Sequence, residues 1–472
     1  VAITPAHRVV ELLGPWRRGG TSRERLAASL RSLVLEGRLA VESRLPAERA
    51  LATALGVSRA TVTGAYDQLR EQGYVASRQG SGSWVTLPAG HRMAPSDAIV
   101  GGTGLDLRIS AMPAPAVLAD VFETAARELT HWLDHHGYDP LGLPPLREAI
   151  AARFCRRGLP TRPEQILVTN GALHALDLTI RAMLPRGRRA LVELPSYPVA
   201  LDALRAAGAR LAPVPMSEHG WDVEALEAVV RNQAPALAYL IPDFHNPTGR
   251  LMDADARQRV LRVLRDAGTT TVVDETFTEL NLDGVAMPPP AAAFGGERTI
   301  TLGSLSKSVW GGLRVGWVRA EPAVIHRLAS ARAAIDLASP LFEQLVATDT
   351  LERLDDILTE RREVIRIRRV ALARALDECL PEWSYSLPAG GLFIWARLPE
   401  PISTSLALEA SRRDLQLTPG PRFAAAGVLE HHLRLPFTLA PEQLERAVRI
   451  LAELTPIGDR ATGSRVLAGY VA

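Results

Sequence analysis

Past residue 106 the sequence repeats one physical pattern: a short apolar run, then a longer stretch with helical periodicity. The apolar runs fall at 166–169, 190–193, 236–241, 270–273 and 299–302, and the helix-patterned stretches include 117–133 and 146–157. Apolar runs without polar alternation belong to strands buried on both faces. Strands spaced by helices imply a mostly parallel sheet with helices covering it. The larger part of the chain is therefore expected to be α/β. Open sheets of this kind place their ligands just beyond the strand ends, and polar residues gather there. Thr169-Asn170-Gly171-Ala172-Leu173 follows the first run and opens a helix, whose free amides can hold a phosphate. Pro195-Ser196-Tyr197 follows the second and offers a ring for stacking, and Asn246-Pro247-Thr248-Gly249 follows the third. Asp274 ends the fourth, and Ser304, Ser306 and Lys307 follow the fifth. Each has an ordinary use alone, as a turn, a cap or a packed ring. Their order at successive strand ends is what points to a site.

Lys307 stands out for a second reason. It is the one lysine among 54 lysines and arginines, although lysine is among the commonest residues of ordinary proteins. In a chain that uses arginine wherever a cation will serve, a retained lysine suggests a task arginine cannot perform. A lysine amine can lose its proton and attack a carbonyl carbon; a guanidinium stays protonated. The strand-end set suggests the chemistry of pyridoxal 5'-phosphate (PLP). Lys307 would form a Schiff base with the aldehyde, and Asp274 would pair with the protonated pyridine nitrogen and maintain the electron sink. Asn246 would bond the ring oxygen while Tyr197 stacks on the ring. Ser304, Ser306, Arg314 and the amides of Ala172 and Leu173 would bind the phosphate.

From about Leu107 onward the chain resembles the fold-type I aminotransferases. The likeness is carried by Gly137-Tyr138-Asp139-Pro140-Leu141-Gly142-Leu143-Pro144-Pro145-Leu146-Arg147, by Asn246-Pro247-Thr248-Gly249, and by Ser304-Leu305-Ser306-Lys307 through Arg314-Val315-Gly316-Trp317. The resemblance implies that Tyr138 reaches the phosphate of a partner subunit, hence a homodimer with shared sites. It also implies that Arg434, in Leu433-Arg434-Leu435-Pro436, clamps a ligand carboxylate, a task that suits a bidentate guanidinium. One departure bears on activity. The family's Asp-x-x-Tyr reads Asp274-Glu275-Thr276-Phe277 here. The ring oxygen thereby loses a hydrogen-bond donor, which argues against efficient transamination.

Upstream, residues 1–90 hold twelve arginines against seven acids, whereas the whole chain has a net charge of only +2. A basic head on a faintly acidic body hints at nucleic acid. Residues 26–39 read as an amphipathic helix ended by Gly37. Pro46 suits the first turn of a second helix and Gly56 its left-handed stop. Ser58 is a good N-cap for a third helix over 59–71, and 74–85 alternates and turns on Gly80 and Gly82 as a hairpin does. Together these give a winged helix-turn-helix. The runs Leu45-Pro46-Ala47-Glu48-Arg49, Leu55-Gly56-Val57-Ser58-Arg59-Ala60-Thr61-Val62 and Arg78-Gln79-Gly80-Ser81-Gly82 resemble the GntR family of bacterial transcription factors. That resemblance implies DNA contacts from Arg44, Arg49, Ser58, Arg59, Thr61 and Thr63, with the wing tip Gln79–Gly80 in the adjacent groove. Arginine suits guanine edges, and helix N-termini and small hydroxyls suit phosphates.

The expected organisation is a DNA-binding domain over 1–87, a Pro-, Gly-, Ala- and Ser-rich linker over 88–106, and a PLP-binding domain over 107–472. No uncharged apolar run approaches the length of a membrane span, and residues 1–11 lack the layout of a signal peptide. The two cysteines, Cys155 and Cys379, fit a reducing compartment, and their spacing builds no metal site. Cys155, beside Phe154 on a helical pattern, is expected to be buried packing. A cytoplasmic location follows. A GntR-type head joined to an aminotransferase-like body is the architecture of the MocR subgroup. The expectation is thus a homodimeric, PLP-dependent transcriptional regulator that binds operator DNA and senses a small amino compound, or PLP itself, through Lys307. The alternative is a working aminotransferase with an accessory N-terminal domain.

Overall fold

The computed structural model describes residues 4–13, 22–35, 38–39, 41, 43–78, 82–88, 104–217, 220–425 and 427–455. The N-terminal head consists of helices α1 (Ala6–Leu13), α2 (Ser22–Leu35), α3 (Glu48–Leu55) and α4 (Arg59–Glu71), then strands β1 (Val75–Arg78) and β2 (Gly82–Val85). Gly56 ends α3 in the left-handed region, at φ 63°, a conformation that costs glycine no Cβ clash. Two residues later the Ser58 side chain accepts the Thr61 amide at 3.1 Å and starts α4. Leu26, Leu30, Leu51, Val62, Tyr66 and Val85 meet in one apolar core, joined by Val9 of α1. The buried Tyr66 hydroxyl donates to Pro46 O, so the turn before α3 is tied to α4. The helix expected over 26–39 runs instead from Ser22 to Leu35.

The body is built on an eight-stranded sheet. Its strands are β3 (Ile166–Thr169), β4 (Arg189–Leu194), β5 (Arg210–Ser217), β6 (Gly220–Trp221), β7 (Leu237–Leu240), β8 (Thr270–Asp274), β9 (Thr299–Ser304) and β10 (Gly316–Arg319). They lie in the order β3-β10-β9-β8-β7-β4-β5-β6. The five expected strands are all present and buried. Pairs from β9 across to β5 are parallel, whereas β10 runs antiparallel between β3 and β9, and β6 antiparallel beside β5. The long strand β5 escaped the sequence pattern because Pro213 and Pro215 interrupt it, and proline reads as a strand breaker.

Helices α5 (Ala172–Met183) and α6 (Val223–Gln233) cover the sheet. A C-terminal lobe follows, with helix α7 (Leu354–Cys379), an antiparallel sheet of β11 (Phe393–Arg397), β12 (Thr418–Pro419) and β13 (His432–Pro436), and helix α8 (Pro441–Leu454). Leu105 and Asp106, inside the expected linker, pair in parallel with Leu415 and Gln416 of this lobe. Cys155 is exposed rather than buried. Neighbouring helical residues point about 100° apart, and Phe154 takes the inward direction. No helix among the described residues is long and apolar enough to cross a membrane.

Head and body touch. Arg8 of α1 forms an ion pair with Asp222 at the start of α6, and Val41 and Leu87 pack with Leu194, Ala424, Val428 and Leu429.

Candidate functional site

A cavity of about 660 Å³ opens between the sheet's strand ends and the C-terminal lobe. Ala172, Leu173, Tyr197, Asn246, Asp274, Ser306, Lys307, Arg314 and Arg434 all line it. Those from Ala172 to Lys307 are gathered because parallel strands put their C-terminal ends on one side, and Arg434 joins them from β13 of the C-terminal lobe. In the register of β8 and β9, Leu302 lies opposite Asp274, which sets the carboxylate beside the turn that carries Lys307.

The Lys307 amine donates to Ser110 O at 2.8 Å. Burial pushes its pKa down to about 8, Arg434 and Arg314 press the same way, and Asp274 opposes them. Desolvation disfavours the ammonium form, so the amine is available as a nucleophile near neutral pH. Arg434 lies over the rings of Phe423 and Phe393, 5.0 and 5.6 Å from their centroids. It donates to Asn246 Oδ1 at 3.2 Å and to Arg108 O at 2.6 Å, and its buried Nε has no protein partner. Burial lowers its pKa to about 10, which leaves it a cation at neutral pH.

A phosphate-sized cradle lies at the start of α5. Gly171 precedes the helix at φ 94° and no side chain caps it, leaving the first-turn amides without intrahelical acceptors. Arg314, itself left-handed at φ 52°, donates to Asn170 O at 2.8 Å and lies over Gly171. A Cβ on Gly316 would stand 2.6 Å from the Gly171 carbonyl carbon, so only glycine lets β10 approach this turn. Ser306 faces the same cavity. Ser304 does not line it. Its hydroxyl donates to Val315 O at 3.0 Å and accepts the Ser306 amide at 3.1 Å, acting as a cap that shapes the lysine turn. Tyr138 also lies outside its own chain's cavity, 61% exposed and stacked on His136.

Phe277 lines the cavity with no hydroxyl to offer, its ring edge-on to Phe393 at 5.2 Å. Sequence reasoning missed Tyr239, Thr276, Ser110 and Arg108. The hydroxyls of Tyr239 and Thr276 both donate to Asp274. The one signal for Tyr239 was a phenol inside the otherwise apolar run 236–241. The lining groups fit PLP: an amine, a carboxylate, a ring to stack, and an amide-and-arginine cradle for phosphate. Among the described residues no cluster of His, Cys, Asp and Glu could hold a metal.

On the head, Arg49, Ser58 and Arg59 are exposed. The Ser58 and Thr61 hydroxyls lie 2.8 Å apart at the start of α4, and Arg59 extends outward, 3.6 Å from Glu48. Thr63 donates to Glu48 at 2.8 Å, so its hydroxyl is engaged within the head. Arg44 lies against Gly82, at the turn end of the hairpin. Gln79 and Gly80 lie outside the described residues.

Comparison with known proteins agrees with both halves. Residues 108–451 match the family "Aminotransferase class I and II", and residues 22–85 match "Bacterial regulatory proteins, gntR family". The uncharacterized HTH-type transcriptional regulator YisV of Bacillus subtilis is 28% identical over 90% of this chain and 94% of its own length. The probable rhizopine catabolism regulatory protein MocR of Rhizobium meliloti is 33% identical over 63% of this chain and 65% of that protein. Among solved structures, LysN, an alpha-aminoadipate aminotransferase of Thermus thermophilus complexed with N-(5'-phosphopyridoxyl)-L-leucine, is similar. It shares 35% identity at a TM-score of 0.67, over 74% of this chain and 91% of that one. The chain therefore belongs to the class I and II aminotransferase family and, with its gntR-family head, is a helix-turn-helix transcriptional regulator of the MocR type.

Proposed function

We propose that this regulator binds duplex operator DNA through its head and responds to a small amino compound, or to PLP itself, at the Lys307 cavity. The observation that carries the reading is the half-buried Lys307 amine, with its depressed pKa, lining one cavity with Asp274, Arg314 and Arg434 in a chain that also bears a gntR-family head. PLP, when bound, supplies an aldehyde carbon for amine capture and an electron-withdrawing ring. Lys307 is the group placed to hold it covalently, Asp274 to face the pyridine nitrogen, and Asn246 and Tyr197 to orient the ring. Arg314, Ser306 and the amides of Ala172 and Leu173 would hold the phosphate. Arg434 would clamp a ligand carboxylate through charge-assisted, bidentate hydrogen bonds. A ligand amine competing with Lys307 would have different affinities for different placements of the C-terminal lobe and head, the condition for linkage to DNA affinity.

The exposed Tyr138 supports a homodimer in which that hydroxyl completes the neighbouring cavity, and two heads then read paired half-sites. A DNA target places the protein in the cytoplasm. Turnover as an aminotransferase is the second reading, favoured by the otherwise full set of cavity groups and the 35% identity to LysN. Phe277, which withholds a hydroxyl from the ring oxygen, weighs against it.

The test combines absorbance and DNA binding. Adding PLP should produce a band near the visible edge that Lys307→Ala abolishes. Replacing Arg49 and Arg59 with alanine should weaken binding to a duplex selected from a random pool. Each lost phosphate contact should reduce the salt slope by about one, with the band unchanged. Steady conversion of amino donors to keto acids, with no duplex selected, would instead establish the enzyme reading.

A further inference from the structure

Asp274 has more partners than its own turn supplies. One carboxylate oxygen, Oδ1, accepts the Thr276 amide at 2.9 Å and the Thr276 hydroxyl. The other, Oδ2, accepts the Tyr239 hydroxyl at 2.7 Å. Tyr239 belongs to β7, the strand beside β8, where it lies opposite Val272, two residues before Asp274 and so on the same face of the sheet. It is fully buried and borders the cavity. Burial and the nearby Asp274 raise its pKa well above 10, so the phenol stays protonated and can only donate here. Phe277, where the resembled pattern has tyrosine, is spent on packing against Phe393. The chain thus lacks a phenol at one position near the ring and has one at another, aimed at a different atom.

We propose that Tyr239 is a positioning residue for the cofactor's pyridine nitrogen, holding the Asp274 carboxylate in place at the cavity wall. This rests on the PLP reading above. A carboxylate that accepts several hydrogen bonds is stabilised in its charged form, and an anion beside the ring nitrogen keeps that nitrogen protonated. Removing a buried donor leaves an oxygen without its partner, and the cost falls on the charged form. Tyr239 therefore acts through Asp274, the acceptor of its hydroxyl. Tyr239→Phe preserves the ring, which shares an apolar core with Leu176 and Ile241, and deletes only the donor.

The experiment loads the full-length protein with PLP carrying ¹⁵N in its ring and reads two quantities. One is the ring-nitrogen chemical shift; the other is the PLP dissociation constant from the visible band. Wild-type protein should show a protonated ring nitrogen. Tyr239→Phe should move the shift toward that of Asp274→Asn, which defines the neutral pyridine, and weaken PLP binding about tenfold. In the Asp274→Asn background, adding Tyr239→Phe should change affinity less than twofold, because the two residues act as one unit. A wild-type shift and affinity in Tyr239→Phe would overturn the proposal. So would an undiminished loss in the Asp274→Asn background, which would show Tyr239 acting through packing alone. Failure of the cofactor reading itself appears earlier and separately, as wild-type protein that gives no band with PLP.

Discussion

Lys307 shows how much a single residue can disclose. Its isolation among arginines singled it out, and the fold sets it in the wall of the cavity. Burial places the amine's pKa at about 8, against 10.5 for an ordinary lysine. The folded state therefore releases this proton at a pH where the unfolded chain still holds it. The stability linked to that difference is present above the unfolded value and is lost as pH falls through about 8. The same protonation blocks nucleophilic attack. The rate of band formation with PLP should level off above about pH 8 and fall about tenfold per unit below it, as stopped-flow absorbance would show. A rate flat from pH 6 to 9 would mean that Lys307 is not the attacking group. The family resemblance pointed to Arg434, which lines the cavity, whereas nothing pointed to the bond that Tyr239 makes. A phenol in an apolar run looks like packing until β7 and β8 bring it to Asp274 across 35 residues of chain.

At the scale of elements, local chemistry wrote its own boundaries. Ser58 and Gly56 start and stop the helices of the reading head where sequence signals placed them. Ser58→Ala should cost about 1 kcal/mol of head stability by removing the side-chain acceptor of the Thr61 amide. Denaturant unfolding followed by far-ultraviolet circular dichroism would measure it, and Ser58→Asp should recover most of the loss. The strands expected at 166–169 and 270–273 were equally plain because each is a short run dominated by β-branched residues. The antiparallel course of β10 was not, since direction depends on where the chain turns after Lys307 rather than on the residues of the strand. Gly316 is needed at that point because a Cβ there would strike the Gly171 backbone, and Gly171 because its φ of 94° suits glycine.

For the whole molecule, the contact between head and body matters most. Asp222 has two duties: one carboxylate oxygen accepts the Ala225 amide at 3.0 Å and caps α6, and the other pairs with Arg8. Asparagine caps about as well as aspartate but carries no charge. Asp222→Asn should therefore leave α6 and the PLP band intact while loosening the head. Limited proteolysis should release the head severalfold faster from the variant than from wild type at low salt, and the difference should shrink at high salt. Equal rates at both salt concentrations would show that the Arg8–Asp222 pair does not hold the head.

By itself the sequence determined the two-part architecture, the reading helix and the lysine at the heart of the cavity. Those properties rest on local signals: caps, apolar runs, and one amine among guanidinium groups. Tertiary structure alone decided which polar groups share an atom. It gave Asp274 its phenol from a neighbouring strand, turned Ser304 from ligand to cap, and set Arg8 against Asp222. Hydrogen bonds and ion pairs act over about 3 Å, and only the packed chain brings residues distant in sequence that close.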